Sequence, residues 1–293
     1  MEKVVIAGGT GFIGEYIANR FTEIGYTVLI VSRSTNHISW SPLDLANAID
    51  NSELVINLAG KSINCRHNLE NKKALLNSRI ESTNSIGNAI LKCKNPPKLW
   101  VNASGSGIYK PTQVHPATEN ETELGTNFLA QLVHQWEKTF FQFQLPKTRQ
   151  IALRTSVVLG KNGGALKPLV ALSKVGLGGK QASGKQKSSW IHIEDYFQIL
   201  LFLIEYPTLS GIINCTSPYS VSNKSFMHAI RQTLHVPIGI PAPEFAIRIG
   251  AKLIGVESSL LLDSSYVAPK RLLDAGFHFT YSKLKKALAD ILN

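Results

Sequence analysis

A glycine-rich turn near the start of the chain constrains the fold more than any other feature. Residues 4–14 read VVIAGGTGFIG, so an apolar run passes into glycines at Gly8, Gly11 and Gly14 before a helical pattern begins. In such turns the first glycine permits the tight turn, the second lets a pyrophosphate approach, and the third packs the helix on the strand. Because the helix start also offers free N–H groups and a positive dipole end, phosphate is favoured there.

The residues after the turn support a dinucleotide site rather than an ordinary glycine turn, which is the alternative interpretation. Four apolar residues fall on one helical face, namely Ile13, Ile17, Phe21 and Ile24. Gly25 stands where a helix ends, and Val28–Val31 forms a second apolar strand. The pattern is a βαβ unit of the right length. The predicted cofactor contacts in the turn are Gly8, Gly9, Thr10, Gly11, Phe12, Ile13 and Gly14.

The residues after the second strand predict which nicotinamide cofactor binds. An acidic residue there accepts the ribose 2′-hydroxyl of NAD, whereas an arginine accepts the 2′-phosphate of NADP. Here the strand continues into Ser32, Arg33 and Ser34, and no acid lies between Glu23 and Asp44. Arg33 can fork onto the phosphate, and the two serines can donate to it. The sequence therefore predicts NADP(H), the alternative being that Arg33 is a solvated surface charge.

Composition excludes several classes of protein. The 293 residues contain three widely separated cysteines, Cys65, Cys93 and Cys215, without metal-ligand spacing, which indicates a reducing cytoplasm and no metal site. The longest apolar run, Tyr196–Tyr206, is too short to span a bilayer, so it is interpreted as a buried helix and no membrane partner is expected. The first residues are already strand-like, so no signal peptide is expected.

The net charge of +11 is spread along the chain, without a basic tail or an aromatic-interleaved basic run. One segment carries six lysines and no acid: Lys161, Lys167, Lys174, Lys180, Lys185 and Lys187. A solvated basic loop, attraction of an anionic cofactor or substrate, and nucleic-acid binding are all open for it. Because the pattern lacks the other marks of nucleic-acid recognition, no nucleic-acid partner is expected.

Strands alternate with helices through the first half of the chain. Predicted strands are Val4–Ala7, Val28–Val31, Leu54–Ala59, Leu99–Ala103 and Ile151–Thr155, with His37–Trp40 as a candidate for the third strand of the sheet. Long helical patterns cover Asn71–Leu91 and Asn127–Phe143. This alternation predicts an α/β fold with a Rossmann-type doubly wound parallel sheet, whose ligands lie beyond the carboxyl ends of the strands.

The sequence pattern changes after Gly160, where frequent glycines indicate a loop-rich segment. We predict a dinucleotide-binding domain over 1–160 and a smaller C-terminal substrate lobe over 161–189 and 216–293. Residues 190–215 are expected to return to the main domain, because Gly211–Cys215 is strand-like. The tail from Tyr266 to Asn293 is predicted as two short helices joined around Gly276.

Eight stretches in the same order together resemble the atypical extended short-chain dehydrogenase/reductases of the NAD-dependent epimerase family, TIGR01777 type. They are GGTGFIG (8–14), VINLAG (55–60), NSRIEST (77–83), NFLAQLVHQWE (127–137), LGKNGGAL (159–166), GLGG (176–179), SWIHIED (189–195) and PKRLLDAGF (269–277). They cover nearly the whole chain. The resemblance implies the fold, a dinucleotide site and a C-terminal extension, but not a substrate.

The resemblance also implies positions in the cofactor and substrate sites. The implied cofactor contacts beyond the glycine turn are Leu58, Ala59, Gly60, Arg79, Ala103 and Ser104. Arg154 ends a strand where extended relatives often carry an arginine, and it is a candidate for substrate binding. Arg79 and Arg154 each have the alternative of a structural ion pair. Arg66 and His67 are further candidates for substrate contact, in a loop that lacks the tryptophan usual in the family.

The usual acid/base pair of active relatives, a tyrosine and a lysine four residues apart, is missing. Counting back from Glu137 places Leu129 at the tyrosine position and Val133 at the lysine position, and neither can move a proton. One such spacing, Tyr266 to Lys270, contains a proline and comes too late in the chain, so it is interpreted as coincidence.

The remaining candidates for catalysis are Ser104, Ser106 and Tyr109, which follow the strand where the catalytic serine of relatives sits. A phenol needs a cationic neighbour to act at neutral pH, and the sequence identifies none for Tyr109. His192 is interpreted as a structural hydrogen-bonding residue and His134 as a surface residue.

Two functions remain open from the sequence. One is an NADP(H)-dependent oxidoreductase or epimerase-like enzyme acting on a small polar substrate. The other is a non-catalytic NADP(H)-binding sensor that has lost the acid/base pair. A homodimer formed through Asn71–Leu91 and Asn127–Phe143 is expected by analogy with extended relatives.

Overall fold

The computed structural model describes residues 2–293, so the first residue of the predicted 1–160 domain lies outside it. Six parallel strands form the main sheet: β1 (Lys3–Ala7), β2 (Thr27–Val31), β3 (Leu54–Asn57), β4 (Leu99–Gly105), β5 (Arg149–Thr155) and β9 (Gly211–Cys215). Their order is β2-β1-β3-β4-β5-β9. The sequence order reverses between β1 and β3, which makes the crevice at their carboxyl ends the expected ligand site.

Helices cover both faces of this sheet, which confirms the Rossmann-type doubly wound fold. The helices of the main domain are α1 (Phe12–Glu23), α2 (Pro42–Ile49), α3 (Leu69–Ile90), α4 (Phe128–Phe141) and α6 (Ile193–Glu205). Side chains of β1 alternate between two cores: Val4 and Ile6 pack with α1 and α6, and Val5 packs with α2, α3 and α4. Because both faces are buried, the strand reads as an unbroken apolar run.

The segment His37–Trp40 does not form the predicted third strand. Only Ile38 makes a bridge, which is parallel and pairs with Val31 at the end of β2. The backbone carbonyl of Ile38 also accepts from Ser32 N at 3.2 Å. The chain beyond Trp40 turns directly into α2, because Ser41 caps that helix and Pro42 starts it.

The remaining elements follow β5. The short strands are β6 (Val157–Leu159), β7 (Lys187–Ser188), β8 (Trp190–His192) and β10 (Val221–Ser222). The further helices are α5 (Leu166–Lys174), α7 (Asn223–Thr233), α8 (Glu244–Ile254), α9 (Ser259–Leu262), α10 (Lys270–Asp274) and α11 (Leu284–Leu292). A separate apolar core joins residues of α5, α7 and α11 in the predicted smaller lobe, whereas Val158 of β6, Ile191 of β8 and Leu272 of α10 pack into the core of the main sheet. The predicted division into two domains stays a prediction. Among residues 2–293, no helix is long and apolar enough to cross a membrane.

Candidate functional site

The glycine turn lies at the carboxyl end of β1, and its glycines meet different surroundings. Gly8 has a φ of +76°, and a Cβ there would lie 2.8 Å from the backbone nitrogen of Ala59. A Cβ on Gly14 would lie 2.6 Å from the Cα of Gly9. On Gly11, by contrast, the nearest protein atom would be 3.7 Å away. Packing therefore requires Gly8 and Gly14 to be glycine, whereas Gly11 leaves space beside the turn for a ligand.

Helix α1 begins in this space. Gly11 is its N-cap, and none of the side chains in residues 2–293 caps it. The first N–H groups of the helix therefore face the crevice without a side-chain partner, which is the arrangement that binds phosphate in dinucleotide folds.

Phe12 and Ile13 direct their side chains into the protein rather than into the crevice. Ile13 packs against the core on the α1 side of the sheet. The ring of Phe12 lies against the glycines that follow β6, and a Cβ on Gly163 would be 2.7 Å from its Cδ2. These two residues can therefore contribute to a cofactor site through their backbone, while Phe12 joins the turn to the smaller lobe.

At the end of β2, Arg33 is exposed, and the neighbouring serines hydrogen-bond within the turn that follows the strand. Ser32 is buried, and its Oγ accepts from the backbone of Ser34 at 3.0 Å and lies 3.0 Å from Nδ1 of His37. Within residues 2–293, the Arg33 guanidinium has no ion pair and no side-chain hydrogen bond. The cation is therefore free to meet an anionic group next to the glycine turn.

The second wall of the crevice follows β3. Buried Asn57 donates through Nδ2 to Asn102 Oδ1 at 2.8 Å, and its Oδ1 accepts from Ala59 N at 3.1 Å. This side chain fixes the Leu58–Gly60 turn beside the glycine turn. Neither Asn57 nor Asn102 is among the predicted contact residues; the available signal was a polar residue within each of two neighbouring apolar strands.

Arg79 on α3 lies against Gly60, where a Cβ would be 3.3 Å from its Cζ. Its Nη1 donates to the carbonyls of Lys61 and Leu75 at 3.1 and 3.0 Å, and its Cζ lies 5.0 Å from the ring of Trp136. Nε is buried without a partner, and burial lowers the pKa of Arg79 to about 10. No carboxylate among residues 2–293 pairs with this cation, so an anionic ligand would compensate it.

Arg154 has the opposite environment. Its Nε and Nη2 donate to the two carboxylate oxygens of Glu137 at 2.8 and 2.7 Å, and both side chains are buried. Ser104 donates to the same carboxylate at 2.6 Å. The structure therefore shows Arg154 in the ion pair that the sequence left open for it, and the predicted contacts of Arg154 and Ser104 with ligands stay predictions.

Tyr109 does have a cationic neighbour, although none was identifiable from the sequence. The Cζ of Arg154 lies 4.9 Å from the Tyr109 ring, and the phenol donates to Asn214 Oδ1 at 2.7 Å. Burial nevertheless raises the pKa of Tyr109, although Arg154 opposes the shift. The phenol is therefore protonated at neutral pH and already engaged as a donor.

Leu129 and Val133, which occupy the positions of the usual acid/base pair, contact the loop that follows β4. A Cβ on Gly107 would be 3.8 Å from Leu129 Cβ, and one on Gly105 would be 3.3 Å from Val133 Cγ2. Between these glycines, Ser106 begins a 3-10 turn, Ser106–Ile108, and is partly exposed. The position occupied by a proton donor in relatives is therefore apolar in this chain.

Arg66 and His67 contact the smaller lobe. Arg66 Nη2 donates to the carbonyl of Lys252 near the end of α8, and His67 N donates to Glu257 Oε2 at 3.4 Å. The imidazole of His67 also lies 5.3 Å from the ring of Phe128, centroid to centroid. Both residues thus join the loop after Gly60 to the segment following α8, and substrate contact by either stays a prediction.

The other residues noted in the sequence lie in structural positions. His192 caps α6 by accepting from Glu194 N at 3.1 Å, and its ring stacks on Tyr281. His134 is exposed on α4. Lys270 pairs with Asp274 at 2.8 Å within α10. Among residues 2–293, no group of three or more histidine, cysteine, aspartate or glutamate side chains is arranged to hold a metal ion.

The fold and the crevice together define a nucleotide-binding protein of the short-chain dehydrogenase/reductase type. A model of the NAD dependent epimerase/dehydratase family matches residues 4–215, and a domain of unknown function, DUF1731, matches residues 242–291. The chain belongs to this family. The order of the two matches is that of the TIGR01777-type epimerase proteins.

Relatives match over the full length. An epimerase family protein of Staphylococcus aureus is 34% identical over 301 residues, covering 100% of this chain and 99% of its own. One from Staphylococcus haemolyticus is 32% identical over 301 residues, covering 100% of both chains. The solved structure of a human epimerase family protein with NADPH is 32% identical, has a TM-score of 0.89, and covers 99% of this chain and 98% of its own. A nicotinamide cofactor is therefore supported for this fold.

Two more distant matches show the same fold. A nucleoside-diphosphate sugar epimerase structure from Corynebacterium glutamicum is 26% identical with a TM-score of 0.80, and it covers 99% of this chain and 58% of its own. The UDP-N-acetylglucosamine 4-epimerase of Bacillus cereus is 18% identical with a TM-score of 0.79, which bears on the fold alone.

Proposed function

We propose that the protein binds NADP(H) and transfers hydride between this cofactor and a small polar substrate. The observation that carries the choice of NADP(H) is the free, exposed guanidinium of Arg33 directly after β2, where NAD-specific folds place an acid. The NADPH in the solved human relative, which is 32% identical, supports the same choice.

The residues of the crevice fit this cofactor. The open side of Gly11 and the uncapped start of α1 suit a pyrophosphate, because its oxygens can accept from the N–H groups there. Arg33 would hold the 2′-phosphate, and the Leu58–Gly60 turn would line the adenosine side. When bound, the nicotinamide supplies or accepts the hydride, while the protein positions the substrate and excludes competing reactions.

A second candidate function is a non-catalytic NADP(H)-binding sensor. The observation that favours it is the apolar pair Leu129 and Val133 over the loop after β4, because neither side chain can move a proton. A sensor would bind the cofactor tightly without hydride transfer, and a partner's affinity would differ between NADP and NADPH.

The test is a calorimetric titration of the nucleotide-free protein with NADPH, NADP, NADH and NAD. We expect NADP(H) to bind at least tenfold more tightly than NAD(H). Equal affinity for NADPH and NADH would contradict the cofactor assignment, and no binding of any of the four would exclude both candidate functions. Hydride transfer to any substrate would exclude the sensor.

A further inference from the structure

Arg79 and Arg154 place the same edge of the guanidinium in different surroundings. In Arg154, Nε and Nη2 donate to the two carboxylate oxygens of Glu137 at 2.8 and 2.7 Å. In Arg79, Nη1 makes both hydrogen bonds, to the carbonyls of Lys61 and Leu75, and Nε is buried without a partner. Within the described chain, Nη2 of Arg79 makes no hydrogen bond and, unlike Nε, is not fully buried. The edge that binds a carboxylate in Arg154 is therefore unoccupied in Arg79.

This free edge lies at the rim of the crevice and not in a closed interior. Arg79 is half-buried, and Gly60, which lies against its guanidinium, is exposed. Lys61, the next residue, is exposed as well. A small anion can therefore reach Nη2 from solvent, and no enclosed cavity is needed to receive it.

The fold leaves this cation without a counter-ion. No carboxylate in the described chain forms an ion pair with Arg79, and burial lowers its pKa to about 10. Taking a charge out of water without a partner is unfavourable, because the protein replaces its hydration only in part. An anion at Nη2 would supply the missing counter-charge.

Arg79 lies between the turn after β3 and helix α4. The backbone of Ala59 lies against the glycine turn, whereas Gly60 lies against Arg79. The ring of Trp136, 5.0 Å from the Cζ of Arg79, is one helical turn beyond Val133 on α4. Because Val133 occupies the lysine position of active relatives, Arg79 stands towards the end of the crevice where relatives carry out proton transfer.

The anionic groups of NADP(H) have other sites in this crevice. The start of α1 beside Gly11 suits the pyrophosphate, and Arg33 suits the 2′-phosphate. The oxidised nicotinamide ring carries a positive charge, so a second cation beside it gains nothing from the ring. The counter-ion of Arg79 must therefore come from another molecule.

We propose that Arg79 holds a carboxylate or phosphate group of the substrate, so that the substrate is an anion. Nη2 would donate to this group at the rim of the crevice. The inference rests on the proposed NADP(H)-dependent function and names the class of its substrate. The net charge of +11 favours the approach of such an anion.

The experiment measures the thermal unfolding midpoint of the NADP+-loaded protein, in which the cofactor occupies its own phosphate sites. Sodium malonate and sodium phosphate are the anionic probes, dimethyl malonate is the uncharged one, and sodium chloride keeps the ionic strength constant. A site with a Kd of about 1 mM raises the midpoint by about 2 °C at about 10 mM anion. We expect such a shift with at least one anion and none with dimethyl malonate. Absence of a shift with both anions would overturn the inference.

Matched variants locate the site. Arg79→Met removes the charge and should abolish the anion shift while changing the Kd for NADP+ less than threefold. Arg248→Met removes an exposed cation on α8 and should keep the full shift. Arg79→Lys keeps the charge and should retain part of the shift, and it serves as the second variant if Arg79→Met does not fold.

Two results with these variants would contradict the assignment. An anion shift that persists in Arg79→Met would place the anion elsewhere. A tenfold or greater loss of NADP+ affinity in Arg79→Met would make Arg79 the cofactor contact that the sequence resemblance implies, and not a substrate site. Failure of the wild type to bind NADP+ would overturn the proposed function itself, whereas NADP+ binding without an anion shift overturns the substrate inference alone.

Discussion

Three arginines at the carboxyl edge of the sheet have different electrostatic environments. Arg154 is buried and compensated by Glu137 through two hydrogen bonds. Arg79 is half-buried with its Nε fully buried, and no carboxylate in the described chain pairs with it, while Arg33 is exposed and has no ion pair there. Because a buried ion pair has no charge left for a ligand, Arg33 and Arg79 are the cations that an anionic cofactor or substrate would meet.

At Arg33 we predict a selective loss of NADPH affinity. A hydrogen bond to a charged group contributes about 1.5–3 kcal/mol, so Arg33→Ala should raise the Kd for NADPH about 10- to 100-fold. The Kd for NADH should change less than about threefold, because NADH lacks the 2′-phosphate. Calorimetry measures both dissociation constants. Lys285→Ala removes a positive charge at an exposed site on α11 and is the control. Equal losses for the two nucleotides would contradict the assignment.

For the buried pair we predict a stability effect. Glu137→Ala leaves Arg154 buried without its counter-ion, which should lower the free energy of unfolding by about 3–5 kcal/mol. Glu244→Ala removes the partner of Arg248 at the surface and should cost about 0–1 kcal/mol. Urea unfolding of both variants measures the difference. If both variants lost a similar free energy of unfolding, the buried pair of Arg154 and Glu137 would stabilise the protein no more than a surface ion pair does.

At His192 we predict a pH dependence of stability. Burial lowers the pKa of His192, although Asp290 and Glu194 oppose the shift. The unfolded chain therefore takes up a proton near pH 6.5 before the folded chain does, and stability is lost as the pH falls below about 6.5.

The variant His192→Asn keeps a side chain that can cap α6 but cannot titrate. Its free energy of unfolding should fall less than that of the wild type between pH 7.5 and 5.5, as measured by urea titration at each pH. His134→Asn, at an exposed site on α4, should follow the wild type. A parallel loss in His192→Asn would contradict the prediction.

At the scale of elements, two glycines of the turn between β1 and α1 have different expected roles: Gly14 is required for packing and Gly11 for cofactor binding. Gly14 holds α1 against the backbone of Gly9, so Gly14→Ala should destabilise the protein by about 1–3 kcal/mol. Gly11 has φ −92° and open space, so Gly11→Ala should cost under about 1 kcal/mol but weaken NADPH binding at least tenfold. Urea unfolding and nucleotide titration distinguish them; normal NADPH binding by Gly11→Ala would contradict a pyrophosphate site.

The predictability of the elements followed the strength of their local signals. The patterns Asn71–Leu91 and Asn127–Phe143 correspond to α3 and α4, whose N-caps are the asparagine side chains of Asn68 and Asn127. His37–Trp40 failed as a strand because only one residue reaches the edge of β2. Whether a segment beside an edge strand such as β2 forms a further strand depends on the few backbone hydrogen bonds available there, and an apolar sequence pattern does not encode these.

At the scale of the whole molecule, the homodimer through α3 and α4 stays a prediction. Apart from Leu69 at the start of α3, the exposed residues on these helices are polar or charged: Glu70, Lys73, Asn77, Glu81, Asn88, Gln131, His134, Gln135 and Lys138. A dimer by this route would therefore have a polar interface. Light scattering at micromolar concentration should give twice the 32.1 kDa chain mass if it forms, and the chain mass itself would contradict it.

The sequence by itself determined the doubly wound fold, the glycine turn and the apolar residues at the acid/base positions. These depend on local features: runs buried on both faces, glycines without alternatives, and spacing along one helix. Only the tertiary structure decided which polar groups remain available. Glu137, far along the chain from Ser104, engages both that hydroxyl and Arg154, while Arg79 and Ser106 are left without such partners. The reason is physical: a side chain's charge and hydrogen bonds are settled by neighbours that folding brings from distant segments.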